Sequence, residues 1–202
     1  MLGAAAGFAA LSALVAGGAL TRLDQWAMDH AMTDVRVTGA KATLADALVP
    51  LLHTHFDSPL DVVTGVVTAP ASLILSLILV AGCCVALQRR GRVRAAYAWA
   101  AAWLVGNIVE VLCKSTLTRP PLYRHGLHVL AFDSSFPSGH TVRSIVVAGA
   151  IATAFPAARP WVAAWAVVCL ALLEADAWHT PSDIAGGLLL SALLVAAVRR
   201  AG

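Results

Sequence analysis

Residues 136–156 read FPSGHTVRSIVVAGAIATAFP, a polar turn with a histidine that runs directly into an apolar stretch. Pro137 disfavours a helical conformation for the residue before it, and Ser138 is a good N-cap. Gly139 lets a ligand approach the backbone closely. The stretch therefore predicts a helix that begins near residue 139, with unpaired N–H groups at an N-terminus where an anion can bind.

The composition of the whole chain places this helix in a membrane. Of the 202 residues, 59% are hydrophobic and 12% are charged, whereas an ordinary soluble domain is about 45–50% apolar and about 25% charged. Six apolar segments can be marked, at roughly 3–20, 61–87, 95–113, 140–156, 161–178 and 184–198. Several approach the ~20 residues that a membrane-spanning helix needs. We therefore predict an all-α protein, a single domain over residues 1–202 built as a bundle of six transmembrane helices.

The arginines predict how this bundle is oriented. Arginines without accompanying acids occur at three places: in QRRGRVR at residues 88–94, at Arg159, and at Arg199 and Arg200. The positive-inside rule assigns these places to the cytoplasm, together with the N-terminus. No basic residues precede the first apolar segment, which favours a retained helix over a cleaved signal peptide. The stretches expected to face outward are 21–60, 114–139 and 179–183.

The outward stretch 21–60, between the first two predicted helices, is the least hydrophobic part of the chain. It mixes apolar side chains with Asp24, Asp29 and Asp34. This pattern predicts one or two amphipathic helices lying at the outer surface. They could cover a gap through which lipids enter, or serve only as an interfacial linker.

Polar residues concentrate in three outward-facing stretches, KSTLTRPPLYR (114–124), SSFPSGHTVR (134–143) and DAWHTPSD (176–183). Because each lies at the external end of a helix, folding can bring them together at one membrane depth. In the second stretch, His140 falls in the first turn of its predicted helix, where it could donate a proton. The alternative is a capped helix start with an interfacial histidine.

The third stretch places a histidine beside a second helix start. Thr180 can cap that helix, Pro181 suits its first position, and Asp183 lies where a capping-box acid would be. His179 and Asp183 are four residues apart, so the carboxylate could hold one imidazole N–H. The other ring nitrogen would then be free to act as a nucleophile or base. The alternative is that Asp183 serves only as a helix cap.

The first stretch supplies cations. Lys114 and Arg119 are five residues apart, and two prolines follow. A guanidinium can bind two phosphate oxygens at once, and a lysine ammonium is a compact positive charge. Either side chain could instead extend to the headgroups from a helix end. With two histidines and two helix N-termini close by, these cations predict an anion site.

Together the three stretches resemble the type 2 phosphatidic acid phosphatase superfamily of membrane lipid phosphatases. The family pattern is K-x6-R-P, then P-S-G-H, then S-R-x5-H-x3-D, on a six-helix bundle. Residues 137–140 match the second motif fully, and His179 with Asp183 matches the end of the third. Lys114 matches the first, but its Arg-Pro pair begins at Arg119, after only four intervening residues.

The resemblance covers about residues 95–198 and implies a catalytic arrangement. His179 would be the nucleophile that forms a phosphohistidine, Asp183 would orient it, and His140 would protonate the leaving lipid oxygen. The groups implied to hold the phosphoryl oxygens are Lys114, Arg119, Ser138 and the Gly139 amide. Such enzymes need no metal ion, and we expect no cofactor and no nucleic-acid partner.

The resemblance also implies a lipid phosphate substrate, hydrolysed at the outer face of the cell membrane. The chain is rich in alanine and arginine and has only two lysines, Lys41 and Lys114. This usage suggests a GC-rich bacterial genome and an inner-membrane location, and it favours a polyprenyl diphosphate or related envelope lipid. A phosphotransferase using the same intermediate and a non-catalytic lipid-phosphate binder are the alternatives, and the oligomeric state is left open.

One family arginine is missing, because the Ser-Arg pair of the third motif would fall at Leu172 and Leu173. Arg143 lies three residues after His140, on about the same helix face. We interpret it as a replacement for the lost positive charge, alone or with Arg124; extension to the headgroups is the alternative. Its expected partners are two acids late in the fifth apolar segment, Glu174 and Asp176, because charges within a membrane are usually paired.

Overall fold

The computed structural model describes residues 2–33 and 58–201. Its helices are α1 Leu2–Ala16, α2 Thr21–His30, α3 Pro59–Thr68, α4 Leu73–Arg89, α5 Val93–Thr116, α6 Gly139–Ala154, α7 Arg159–Ala175 and α8 Pro181–Ala201. A two-stranded antiparallel hairpin, β1 Tyr123–Arg124 and β2 Leu127–His128, lies between α5 and α6. The described part of the chain is therefore almost entirely helical, as predicted.

The number of membrane spans is lower than predicted when helices are judged one by one. Three are long and apolar enough to cross a membrane: α5, α8, and α7 together with the short 3-10 turn before it. Two bent pairs also qualify if each is one span, α1 with α2 at 77° and α3 with α4 at 42°. The described residues thus hold three to five candidate spans, and a total of six stays a prediction.

Helix α6 falls outside this count because it is short. Its 16 residues measure about 24 Å at 1.5 Å per residue, less than a hydrocarbon core of ~30 Å. Ten of the 16 are buried, since α4, α5, α7 and α8 all pack against it. A central helix of this kind faces protein on every side. It can therefore carry polar residues such as Thr141, Arg143 and Ser144 that lipid would not tolerate.

The apolar core lies along the part of α6 that follows its first turn. Val146 and Val147 of α6 pack there with Trp99 of α5 and Leu194 of α8. Gly149 has no room for a side chain, since a Cβ there would overlap the Trp99 ring. Close packing around these residues holds α6 in place and thereby fixes where its polar N-terminus lies.

Helix α2 covers the other end of the bundle. It is amphipathic: Asp24 and Met28 are buried, whereas Leu23 and Trp26 are exposed. The Gln25 side-chain amide donates to the Tyr123 carbonyl at 2.6 Å and accepts from its N–H at 2.9 Å, which joins α2 to the hairpin. Helix α2 is the first part of the predicted outer segment. The remainder, 34–57, lies outside the described residues, and the location at the membrane surface stays a prediction.

The two ends of α6 have different surroundings. Arg90 donates to the Ala154 carbonyl and Arg92 to the Thr153 carbonyl, the latter at 3.1 Å. The arginine-rich turn therefore lies against the C-terminal end of α6. His140 is in the first turn, at the opposite end of the same helix. The fold thus separates the motif residues from the turn that predicts the cytoplasmic side.

Candidate active site

The N-terminus of α6 is built by its cap. The Ser138 Oγ accepts from the Thr141 N–H at 3.2 Å and lies 3.0 Å from the Thr141 hydroxyl, which confirms the predicted N-cap. The Ser138 N–H donates to the Asp183 carbonyl at 3.0 Å. This bond ties the start of α6 to the start of α8, so the second and third motifs meet although Ser138 and Asp183 are 45 residues apart in the chain.

The N-terminus of α8 has a reciprocal capping box. The Thr180 N–H donates to Asp183 Oδ2 at 3.1 Å, and the Asp183 N–H faces Thr180 Oγ1 at 3.4 Å. The same carboxylate oxygen lies 3.6 Å from His179 Nδ1. Asp183 therefore caps the helix and also faces the imidazole, and its role in orienting His179 stays a prediction. His179 Nδ1 has no hydrogen bond within the described residues, and Nε2 lies on the far side of the ring from Asp183.

The two motif histidines face each other. Their ring centroids are 6.1 Å apart. Trp178 contacts His140 edge-on, with ring centroids 5.5 Å apart and an interplanar angle of 78°, and this contact restricts how the His140 ring can turn. The two imidazoles therefore meet at the starts of α6 and α8.

Arg143 is buried and has three protein acceptors. Its Nε donates to the Ala71 carbonyl at 2.7 Å, and its Nη1 donates to Glu110 at 2.6 Å and Asn107 at 3.0 Å. A guanidinium held in this way does not extend to the headgroups. The expectation that Glu174 and Asp176 hold it is wrong, because Arg143 faces α5 and the turn after α3.

Lys114 shares the same acid. Its Nζ lies 2.7 Å from Glu110 Oε1, one helical turn earlier on α5. Glu110 is only 7% exposed, so one buried carboxylate joins two of the predicted phosphate-binding cations. Sequence reasoning missed Glu110, although an acid inside an apolar segment, four residues before a lysine, was an available signal.

Arg119 lies behind the histidine pair. Its Nη1 is 3.2 Å from Asp183 Oδ1 and 3.1 Å from Thr180 Oγ1, and its Nη2 pairs with Asp24 Oδ2. Asp24, on α2, also accepts from the Ser182 N–H at 3.0 Å and the Ser182 hydroxyl at 2.7 Å. In this geometry Arg119 holds the carboxylate that faces His179, and its contact with phosphate stays a prediction.

One family model matches the part of the chain that carries the site. It is the model of the PAP2 superfamily, and it matches residues 93–201, which include every motif residue described above. The chain belongs to the PAP2 superfamily. Membership implies phosphatase-type activity on phosphate esters, and the apolar helices indicate a membrane protein. Neither the curated proteins nor the solved structures that were searched contain a match.

The position where the family pattern has an arginine, Leu173, also has apolar surroundings in the structure. Leu173 is fully buried and belongs to a small cluster with Ala71, Cys169 and Ile184. Ala71 is also the residue whose carbonyl accepts from Arg143. The Arg143 guanidinium therefore ends beside this cluster, close to where an arginine at Leu173 would begin. Arg124, the other arginine considered, is buried in β1 of this PAP2 protein.

Metal ligands are not grouped in the part of this PAP2 protein that the structure describes. Within 2–33 and 58–201, no group of three or more His, Cys, Asp or Glu residues could hold a metal ion. The polar side chains at the motif end are instead arranged as cation–carboxylate pairs around two histidines.

Proposed function

We propose that this PAP2 protein is a lipid phosphatase that hydrolyses a phosphate monoester or diphosphate of a lipid through a phosphohistidine. The observation that carries the proposal is the pair His140 and His179, 6.1 Å apart at the starts of two helices. Within the described residues, a carboxylate lies 3.6 Å from His179 Nδ1 and His140 forms no ion pair, which suits the two histidines to different tasks. Lys114 and Arg143 add positive charge on the side of α5.

In the first step, His179 Nε2 attacks the phosphorus atom and the bond from phosphorus to the lipid oxygen breaks. His140, protonated at the start, donates its proton to that leaving oxygen. Asp183 holds the Nδ1–H of His179 and stabilises the positive charge that develops on the ring. The 3.6 Å separation between Nδ1 and Asp183 needs to shorten by less than 1 Å to give a hydrogen bond, and such contacts commonly tighten when substrate binds.

In the second step, water attacks the phosphohistidine, the N–P bond breaks, and phosphate leaves. His140, now neutral, takes the proton from that water and is ready to act as an acid again. Negative charge on the three equatorial phosphoryl oxygens is the main feature to be stabilised in both steps. Lys114, Arg143, the Ser138 hydroxyl and the free N–H groups at the start of α6, including that of Gly139, are the stabilising groups.

The preferred substrate is a polyprenyl diphosphate or a related envelope lipid phosphate, at the outer face of a bacterial inner membrane. Two observations support the outer face. The arginine-rich turn contacts the C-terminal end of α6, and His140 lies at the other end. Under the positive-inside rule, that other end faces outward. The mechanism uses only side chains and backbone amides, so we propose that it needs no metal ion or cofactor.

Phosphate release by the purified protein tests this function. The assay compares a polyprenyl diphosphate, phosphatidylglycerol phosphate and phosphatidate, and we expect turnover of at least one. His179→Ala and His140→Ala should each abolish turnover. With 32P-labelled substrate, His140→Ala should retain label on His179. Label passed to an added lipid acceptor instead of water would indicate a phosphotransferase.

A matched control is available at the same end of the molecule. His128 lies in the hairpin, exposed and 2.7 Å from Asp133, and the mechanism does not use it. His128→Ala should therefore keep wild-type turnover. Turnover by His179→Ala at the wild-type rate would contradict the proposed function.

A further inference from the structure

Glu110 stands out because both of its carboxylate oxygens are bound to cations that the proposed mechanism uses for phosphate. Oε1 lies 2.7 Å from Lys114 Nζ, and Oε2 lies 2.6 Å from Arg143 Nη1. The side chain is almost completely buried. Lys114 and Arg143 therefore cannot make the same bonds to a phosphoryl group while Glu110 keeps this position.

The carboxylate also lies against the start of α6. A Cβ on Gly139 would overlap all three atoms of the Glu110 carboxyl group, so only glycine leaves room for it there. An anion thus lies between two cations, at a helix N-terminus. These are the surroundings that a phosphoryl group would need.

We propose that Glu110 is the resident anion of the phosphate site, the negative group that the substrate phosphoryl replaces on Lys114 and Arg143. The inference rests on the proposed function and names a further residue that determines phosphate affinity. Two cations inside a bundle need a counter-ion before substrate binds, and Glu110 supplies it. When a phosphoryl group takes over these N–H donors, the carboxylate withdraws from both cations. When phosphate leaves, Glu110 returns to them, which favours product release.

The proposal predicts that loss of the Glu110 charge strengthens phosphate binding. Glu110→Gln keeps the size and one acceptor oxygen of the side chain but removes the competing charge. Inorganic phosphate should bind about tenfold more tightly, because juxtaposed like charges are costly in a buried site. A purely structural role predicts the reverse. If Glu110 only held Lys114 and Arg143 in place, Glu110→Gln would loosen them and phosphate would bind more weakly.

The chain offers a matched control, since Glu110 and Glu174 are its only two glutamates. Glu174 is half-buried near the end of α7 and has no part in the proposed mechanism. Isothermal titration of inorganic phosphate into wild type, Glu110→Gln and Glu174→Gln gives three dissociation constants. Tighter binding by Glu110→Gln alone supports the proposal. Binding that is unchanged or weaker in Glu110→Gln overturns it.

A second measurement uses the wild-type protein and does not depend on the folding of a Glu110 variant. Cell-free synthesis with δ-13C-glutamate labels two carboxyl carbons, and the spectrum of Glu174→Gln assigns them. Phosphate should shift the Glu110 resonance and leave that of Glu174 in place. If lipid phosphate is hydrolysed and phosphate binds, yet the Glu110 resonance does not move, this inference fails and the proposed function stands. If no phosphate binds and no lipid phosphate is hydrolysed, both fail.

Discussion

Substitution of Asp24 by asparagine tests whether α2 is part of the active site. Asp24 is completely buried. Its carboxylate pairs with Arg119 and accepts two hydrogen bonds from Ser182, at 3.0 Å and 2.7 Å. Asp24→Asn retains one oxygen for these contacts but removes the charge that Arg119 faces.

The expected loss can be worked out from these contacts. Removal of one partner of a buried ion pair costs about 3–5 kcal/mol. Because Arg119 keeps Asp183 as a second carboxylate, we expect the lower end of that range, about 3 kcal/mol. For a chain of this size, such a loss lowers the thermal unfolding midpoint by about 6–12 °C. Turnover should also fall about tenfold, since Arg119 would draw Asp183 away from His179 and leave the imidazole less well oriented.

Asp29→Asn provides the control on the same helix. Asp29 is exposed and accepts one hydrogen bond, from Gln25 at 3.0 Å. The two variants lose the same charge from the same helix, but Asp29→Asn should change the unfolding free energy by less than about 0.5 kcal/mol. Both are compared by thermal unfolding in detergent and by phosphate release. If Asp24→Asn matches Asp29→Asn in both assays, the proposed link from α2 through Arg119 to Asp183 is refuted.

Three further predictions concern the cations, the metal requirement and the orientation. Arg143→Ala should lower kcat by about 10²–10³, as loss of a preorganised oxyanion donor does. Arg143→Lys should recover only part of the lost kcat, because a lysine ammonium cannot reproduce the guanidinium's bonds to three acceptors. A change within a few-fold would show that Arg143 has no role in catalysis. Phosphate release should persist in excess EDTA. If EDTA abolishes phosphate release and one divalent metal ion restores it, the mechanism is contradicted. A fluorescent protein fused after the C-terminus should fluoresce and alkaline phosphatase fused there should be inactive, because Arg199 and Arg200 predict a cytoplasmic end; the opposite pattern would reverse the assigned face.

Sequence reasoning predicted the local structure of the site well, because helix starts depend on residues that are close in the chain. The Ser138 cap and the capping box between Thr180 and Asp183 are both present as predicted. Each needs only a side chain and a backbone group three residues apart. His179 lies just before the Thr180 cap and Asp183 just after it, so the same local turn brings the imidazole within 3.6 Å of the carboxylate.

The partners of the buried arginines could not be predicted in this way. Arg143 donates to the Ala71 carbonyl, 72 residues earlier, and Arg119 pairs with Asp24, 95 residues earlier. The sequence around Ala71 does not indicate that its carbonyl accepts from a distant arginine. The sequence around Asp24 likewise does not indicate that this acid pairs with one. Such pairs depend on how the helices pack, and that is a property of the whole bundle.

The number of spans was difficult to predict for a related reason. Apolar length indicates a span only where the bilayer determines the length of a helix. Helix α6 is surrounded by other helices, so its ends are determined by the Ser138 cap and by the turn at Pro156. Similarly, α1 and α2 meet at a bend of 77°, and the contact of α2 with the hairpin is a feature that composition alone does not reveal.

The arginine-rich turn links membrane orientation to folding. Arg90 and Arg92 are among the residues whose charge predicts the cytoplasmic side, and they also bind the last carbonyls of α6. Those carbonyls have no partners within their own helix, so the two arginines complete its C-terminus. Moving these charges to the opposite loops would therefore remove the signal that predicts one orientation and, with it, the hydrogen bonds from Arg90 and Arg92 to the end of the central helix.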